Sequence, residues 1–258
     1  MNGPITKLAA ARTALAEAFA GATRAVVFTG AGISTESGIP DFRSPGGLWS
    51  RMQPIYYDDF LSSEEARLED WRRRFDMARL FAEAEPNAAH LAVANLARHG
   101  PVCLVVTQNI DGLHARSGVP RDMLVELHGT NDHARCLDCG ERHEISHAQG
   151  TIAKTGASPR CTRCGGLVKA AIVSFGQAMP QEDMERAMTE AVQADLFVAM
   201  GTSLVVYPAA ALPIMAKEAG AQLVIANNQP TDQDGIADLV LRTPLAETFR
   251  PLAEASLV

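Results

Sequence analysis

The 258-residue sequence has no excess of positive charge. Its 23 lysine and arginine residues are outnumbered by 30 aspartates and glutamates, which gives a net charge of −7. This balance excludes a general nucleic-acid coat, because such proteins need clustered basic residues to neutralise phosphates. We therefore expect no nucleic-acid partner, and an anionic ligand would need a local device such as a helix N-terminus.

Long hydrophobic runs are also scarce. The longest uncharged stretch, residues 196–216, is interrupted by Gly201, Pro208 and Pro213, so it favours a strand, a loop and a helix over a membrane span. The first residues lack the basic head and apolar core of a signal peptide. We expect no membrane partner and a cytoplasmic protein.

Five cysteines are too few for a disulfide scaffold of this size. Four of them form two Cys-x-x-Cys pairs with 21 residues between the pairs: Cys136 and Cys139, then Cys161 and Cys164. Two unrelated thiol pairs or redox motifs are the alternative, but glycines after each pair favour two tight turns holding one zinc ion. A site closed by four thiolates predicts a structural zinc and a reducing compartment.

Short apolar runs alternate with helical patterns along most of the chain. Buried strands are predicted at 25–28, 102–106, 123–127, 171–175, 196–200 and 223–226, and helices at 5–20, 68–81, 87–99, 181–193 and 209–219. Ser62 and Glu65 form a capping box before the second helix. Strands that are apolar throughout predict an α/β fold, a doubly wound, Rossmann-like parallel sheet, and the polar cysteine segment predicts a smaller inserted lobe.

A glycine-rich turn follows the first predicted strand, at Gly30, Ala31 and Gly32. Such glycines let a backbone approach a pyrophosphate, with a following helix N-terminus facing it. Thr35 stands where the usual dinucleotide fingerprint has its third glycine, so a plain strand-ending turn is the alternative.

Polar side chains follow four other strands. They are Gln108, Asn109 and Asp111, then His128, then Thr202 and Ser203, then Asn227 and Asn228. Because the carboxyl ends of parallel strands line the ligand crevice, this grouping favours a nucleotide site over separate helix caps. His128 is the group there suited to proton transfer near neutral pH.

The longest motifs are GAGISTESGIPDFRS at 30–44, TQNIDGLH at 107–114, ELHG at 126–129 and GTSLVVYP at 201–208. With the paired cysteines and Phe175-Gly176, they resemble the sirtuins, NAD-dependent protein lysine deacylases, over nearly the whole chain. The resemblance implies one catalytic unit over 1–258. Its large dinucleotide-binding lobe would comprise 1–40, 87–132 and 168–258, and its small lobe a helical insertion, 41–86, and a zinc ribbon, 133–167.

The resemblance also implies what each site residue does. The expected NAD contacts are Gly30, Ala31, Gly32, Thr35, Asp41, Phe42, Arg43, Gln108, Asn109, Ile110, Asp111, Gly201, Thr202, Ser203, Asn227 and Leu245. The expected acyl-lysine contacts are Val173, Phe175, Gly176 and Val205, and the expected zinc ligands are Cys136, Cys139, Cys161 and Cys164.

The implied reaction removes an acyl group, most commonly acetyl, from a protein lysine and releases nicotinamide and O-acyl-ADP-ribose. The catalytic residues would be His128, the general base, with Asn109 and Asp111 at the ribose and nicotinamide. The partners would be acyl-lysine proteins or peptides, NAD and nicotinamide, and the single zinc would take no part in the chemistry.

Alternatives remain at this point. A mono-ADP-ribosyltransferase could use the same NAD site, as could a nicotinamide dehydrogenase, and a zinc-ribbon binding module needs no catalysis. Gln177 replaces the family's usual acidic residue near the peptide. Trp71 and Arg74 resemble the pair carried by deacylases that prefer acidic, succinyl-like groups, although a solvated basic helix face with Trp71 in the core fits the pattern better.

Overall fold

The structure, a computed structural model, describes residues 3–50 and 52–255. Its strands are β1 (Ala25–Thr29), β2 (Val102–Thr107), β3 (Leu124–Glu126), β4 (Gly129–Cys136), β5 (Arg142–Glu144), β6 (Val168–Ile172), β7 (Leu196–Met200), β8 (Gln222–Ala226) and β9 (Leu239–Leu241). Its α-helices are α1 (Leu8–Gly21), α2 (Tyr57–Ser62), α3 (Glu64–Glu83), α4 (Ala88–His99), α5 (Leu113–Arg116), α6 (Ile145–Thr155), α7 (Gln181–Gln193), α8 (Leu212–Glu218) and α9 (Leu245–Glu254).

Six strands form one parallel sheet in the order β3-β2-β1-β7-β8-β9. Alternate strand residues point to opposite faces, and both faces are covered. Val27 and Val198 pack against α1, α4 and α9, whereas Phe28 and Phe197 pack against α7 and α8. The predicted doubly wound sheet is confirmed.

A second, antiparallel sheet has the order β5-β4-β6. The predicted buried strand at 171–175 is therefore wrong as a member of the large sheet. The strand that forms is β6, at 168–172, and it pairs with β4 instead. A short apolar run does not indicate which strand it will pair with, because that choice depends on residues distant in sequence. The small sheet begins at Gly129 and ends at Ile172, a few residues beyond the predicted ribbon at each end.

The remaining differences concern helix ends and short elements. The helix predicted to begin after a capping box at Ser62 begins one residue later: Ser63 accepts the Ala66 N–H at 3.2 Å, and Ser62 ends α2. Seven elements have no counterpart among those predicted from the sequence: α2, α5, α6, α9, β4, β5 and β9. Within the described ranges, no helix is both long and apolar enough to cross a membrane.

Candidate active site

A cleft of about 530 Å³ lies at the carboxyl ends of the parallel strands. The cleft lies at the end of β1, whose neighbours in the sheet are β2 on one side and β7 on the other. The strand order reverses at β1, and α/β sheets bind ligands at such switch points. Every residue expected to contact NAD lines this cleft, and so does His128. The structure thus brings together the ends of β1, β2, β3, β7 and β8, as the sequence pattern suggested.

The glycine turn is shaped by contact between the loops after β1 and β7. The Gly32 N–H donates to the Gly201 carbonyl at 2.8 Å, and a Cβ added at Gly30 or Gly32 would lie 2.8 Å from atoms of 201–202. Gly201 has φ +64°. The chain then forms single 3₁₀ turns at Ala31–Ile33 and Thr35–Ser37 rather than the expected helix. The first N–H of such a turn has no partner within it, so Ala31 offers a backbone donor to an anion.

The loop after β2 is held by side-chain hydrogen bonds. Asn109, which is 8% exposed, donates its amide Nδ2 to the Gly30 carbonyl and to Ser34 Oγ, both at 3.2 Å. Gln108 Nε2 donates to Thr202 Oγ1 at 2.9 Å, which links this loop to the one after β7. Amides and hydroxyls in such numbers suit the ribose hydroxyls and phosphates of a dinucleotide.

Asp111 is the carboxylate of the same loop. Ser34 Oγ donates to Asp111 Oδ2 at 2.7 Å, and the Leu113 N–H donates to Oδ1 at 2.9 Å. Burial raises the pKa of Asp111 above its ordinary value, and these hydrogen bonds lower it in part. The result is a desolvated negative group in the wall of the cleft, oriented by a serine that the sequence analysis did not single out.

His128 lies two residues after the end of β3 and is half-buried. Its Nδ1 lies 2.9 Å from the Gln108 carbonyl oxygen. Since a carbonyl oxygen can only accept, the neutral ring carries its proton on Nδ1, which leaves the Nε2 lone pair as the basic position. Burial lowers the pKa of His128 below its ordinary value. The Gln108 carbonyl raises it and the charge of Arg43 lowers it further.

The segment containing Asp41, Phe42 and Arg43 also lines the cleft. Asp41 Oδ1 accepts the N–H groups of Arg43 at 3.1 Å and Ser44 at 2.8 Å, so this carboxylate organises its own loop. Asn227, which directly follows β8, and Leu245, the first residue of α9, line the cleft as well.

Three of the four expected acyl-lysine contacts line the cleft: Val173, Phe175 and Gly176. The Val173 N–H donates to the His128 carbonyl at 2.9 Å, so this segment is tied to the histidine. Val205 does not line the cleft and is 46% exposed. The preceding Leu204 adopts φ +56° with its side chain buried, and Val206 lines the cleft instead.

Trp71 and Arg74 lie in different environments. Trp71 is fully buried, in the small core with Ala134 and Val168, and does not line the cleft. Arg74 does line it, but its Nη2 lies 3.4 Å from Asp70 Oδ1. The expectation of Trp71 in a core is confirmed, whereas Arg74 is largely buried rather than part of a solvated face.

The four paired cysteines meet at one end of the small sheet. Their sulfurs lie within 4.8 Å of one another, with 3.4 Å between Cys136 and Cys164 and 3.7 Å between Cys139 and Cys161. Four sulfurs about 2.3 Å from a zinc ion lie roughly 3.8 Å apart, so this group fits a tetrahedral site and is too open for disulfides. Gly140 and Gly165 have φ +72° and +77°, the left-handed turns that let each pair converge.

Sequence reasoning missed a polar cluster next to the cleft, of which Ser34 alone lines the cleft itself. Its members are Thr29, Ser34, Thr107, His90 and His114. His90 is fully buried, although a histidine with no apparent role in the sequence would be expected at the surface. The available signal was its helical spacing with Val93, Ala94 and Ala97, which are buried residues of the same helix.

The Sir2 family profile matches residues 30–208 of this chain. An NAD-dependent protein deacetylase of Rhodopseudomonas palustris is 54% identical over 237 residues, 92% of this chain and 94% of the relative. NAD-dependent protein deacetylase 1 of Bradyrhizobium diazoefficiens is 53% identical over 237 residues, 92% of this chain and 93% of the relative.

Solved structures are similar over the same extent. A Sir2–p53 peptide–NAD⁺ complex has a TM-score of 0.82 and 35% identity, covering 93% of this chain and 96% of that one. A Sir2 variant with deacetylated p53 peptide and 3′-O-acetyl ADP ribose has a TM-score of 0.85 and 33% identity, covering 95% and 98%.

Proposed function

This chain belongs to the Sir2 family and is an NAD-dependent protein deacetylase or deacylase, and we propose that the cleft residues described above carry out its reaction. The observation that carries this assignment is the convergence of His128, Asp111 and the glycine turn on one cleft at the sheet's switch point. Its relatives' deacetylase names and the acetyl-ADP-ribose of a similar complex favour acyl transfer over ADP-ribosylation of protein.

The NAD site extends from Asp111 to Leu245 along the sheet edge. The glycine turn and Thr202 suit the pyrophosphate, since they supply backbone and hydroxyl donors without a bulky side chain. Asn227 and Leu245 border the adenosine half, and Gln108, Asn109 and Asp111 border the ribose and nicotinamide. When bound, NAD supplies the ribose carbon that takes the acyl oxygen as nicotinamide leaves.

His128 is the general base in this proposal. The Gln108 carbonyl holds the ring so that Nε2 accepts the proton, and the lowered pKa keeps the ring neutral at physiological pH. A base positioned in this way contributes about 10²–10⁴-fold.

The acyl-lysine enters beside Val173, Phe175 and Gly176. Because Val173 hydrogen-bonds the His128 backbone, a peptide pairing with this segment places its lysine next to the base. Val205 contributes through its neighbours in the loop rather than through its own side chain. We propose acetyl as the preferred acyl group, since Asp70 already pairs with the Arg74 guanidinium that an acidic acyl group would need.

The two lobes divide these tasks. The large lobe, 1–40, 87–132 and 168–258, holds NAD, and the small lobe, 41–86 and 133–167, closes the cleft, with the structural zinc fixing its ribbon. We place the protein in the cytoplasm, because four thiols remain available as zinc ligands where a reducing pool keeps them from pairing.

Mass spectrometry of NAD with an acetyl-lysine peptide tests this assignment. We expect loss of the acetyl group together with nicotinamide and acyl-ADP-ribose, only when NAD is present. A labelled protein or peptide carrying ADP-ribose, with the acetyl group retained, would contradict it and favour the transferase alternative.

A further inference from the structure

Two histidines lie side by side beneath the cleft without lining it. His90 on α4 is 0% exposed and His114 on α5 is 2% exposed, with ring centroids 5.1 Å apart. Burial lowers the pKa of His90 to about 2 and that of His114 to about 4. Both rings are therefore neutral at physiological pH, and each has one N–H to place.

A hydrogen-bond chain joins His114 to Asn109 at the other end of residues 108–114, which we call the NAD loop. His114 Nε2 lies 2.8 Å from Thr29 Oγ1, which donates to Thr107 Oγ1 at 2.8 Å. Thr107 Oγ1 in turn accepts the Asn109 N–H at 3.0 Å.

The direction of this chain follows from one unpaired atom. His114 Nδ1 is buried without a partner, and an unpaired buried N–H is costlier than an unpaired acceptor. The proton therefore sits on Nε2, which donates to Thr29. This leaves the Thr29 hydroxyl to donate to Thr107, and Thr107 to accept from Asn109.

Thr29 consequently holds both ends of the NAD loop. Its hydroxyl binds His114 at the end of the loop, and its carbonyl accepts the Gln108 N–H at 3.0 Å at the beginning. Between them, both amide hydrogens of Asn109 are directed at Gly30 and Ser34, so its Oδ1 is the acceptor left for a ligand.

We propose that His114 is a positioning residue for NAD: by donating from Nε2 to Thr29, it fixes the 108–114 loop in its binding geometry. This proposal rests on the proposed function of the cleft. It differs from a space-filling role, because it requires a donor at one atom rather than a ring of a given size.

A matched pair of variants separates the two roles. His114→Gln can place an amide N–H where Nε2 lies, whereas His114→Leu has similar bulk and no donor. We expect His114→Leu to raise the KM for NAD and the Kd for NAD about 10-fold, the effect of roughly one hydrogen bond, with the peptide KM unchanged. His114→Gln should stay within about threefold of the unsubstituted protein.

A double variant tests the path. Adding Thr29→Val to His114→Leu should cause little further loss, because both remove the same chain. Equal NAD affinity in the Gln and Leu variants, a peptide KM that rises with the NAD KM, or additive losses in the double variant would overturn the proposal. NAD affinity is measured by calorimetry without peptide, so this test does not depend on the reaction. If no acyl peptide reacted, that result would contradict the proposed function and not the role of His114.

Discussion

The two walls of the cleft are stabilised by different means. The parallel sheet has an apolar layer on each face, and its strand ends are joined by side-chain hydrogen bonds. The small lobe, called the zinc lobe below, contains most of the three-stranded sheet and a small core around Trp71. A core of that size supplies little stability. We therefore expect a metal ion bound by the four cysteines at the end of the sheet to supply part of the lobe's folding free energy.

This difference predicts that substitutions in the two parts of the molecule have different effects. On the sheet side, single polar side chains that line the cleft should matter for activity without affecting folding, because the sheet is stabilised by its two apolar layers. In the zinc lobe, loss of one ligand should affect the whole lobe and reach the chemistry only through the shape of the cleft.

The largest effect is expected for His128→Ala. Removing the base should lower kcat/KM for acyl-ADP-ribose formation by about 10²–10⁴-fold, while the melting temperature changes little because His128 is at the cleft surface. His99→Ala, which changes an exposed histidine of α4, is the control. A melting temperature that falls in step with activity would assign His128 to the fold rather than to the chemistry.

Cys161→Ser should instead act through stability. Structural zinc contributes folding free energy directly, so we expect loss of bound zinc, a lower melting temperature and an activity about 10-fold or more below normal. Cys103→Ser, outside the cluster, should keep one zinc per chain by metal analysis. Full activity of a zinc-free Cys161→Ser protein would contradict the supporting role of this lobe.

Asp111→Asn should reduce kcat/KM for NAD by about 10- to 100-fold, the range for a hydrogen-bonded charged group. The asparagine keeps the shape but removes the desolvated charge that Ser34 and Leu113 orient. Initial rates against NAD concentration measure this, with the exposed Asp232→Asn as control. If both variants kept the normal rate, the charge at Asp111 would have no part in catalysis.

The sheet side should also lose stability in acid. His114 has a folded pKa of about 4, below the ordinary 6.5 of the unfolded chain, so the unfolded state binds the proton first. The free energy of unfolding should therefore fall as pH falls from about 6.5, and this contribution is lost in full by about pH 4. Urea unfolding at several pH values should show a weaker dependence for His114→Gln, and an unchanged dependence would contradict the neutral ring.

The smallest effect is expected for Val205→Ala. Because Val205 is exposed and outside the cleft, its truncation should raise the peptide KM less than twofold, and less than Val173→Ala, which shortens a cleft residue. A larger effect for Val205 would mean that the bound peptide rests on its side chain.

The sequence was informative where local pattern decides structure. The strand at 196–200 and the helix at 181–193 form with the predicted bounds, because an apolar run and an amphipathic run each end at clear polar boundaries. The strand ends that carry Gln108, His128 and Thr202 meet as predicted, since parallel strands leave their carboxyl ends on one edge.

Long-range choices were not visible in the same way. The partner of β6 depends on β4, which lies across the cysteine segment, and the outward turn of Val205 depends on the left-handed Leu204. The burial of His90 and His114 depends on hydroxyls supplied by β1, β2 and the turn after β1. Contacts of this kind join residues far apart in sequence, and single-sequence patterns do not record them.

The most direct test of chemistry on the sheet side compares two reactions in one variant. In His128→Ala with acetyl-lysine peptide, the exchange of labelled nicotinamide into NAD and the formation of acyl-ADP-ribose are followed together. In the proposed reaction the acyl oxygen displaces nicotinamide before His128 takes its proton. We therefore predict that exchange continues while acyl-ADP-ribose formation falls by at least about 10²-fold. Equal loss of both reactions in a folded, zinc-loaded protein, or retention of both, would contradict the account.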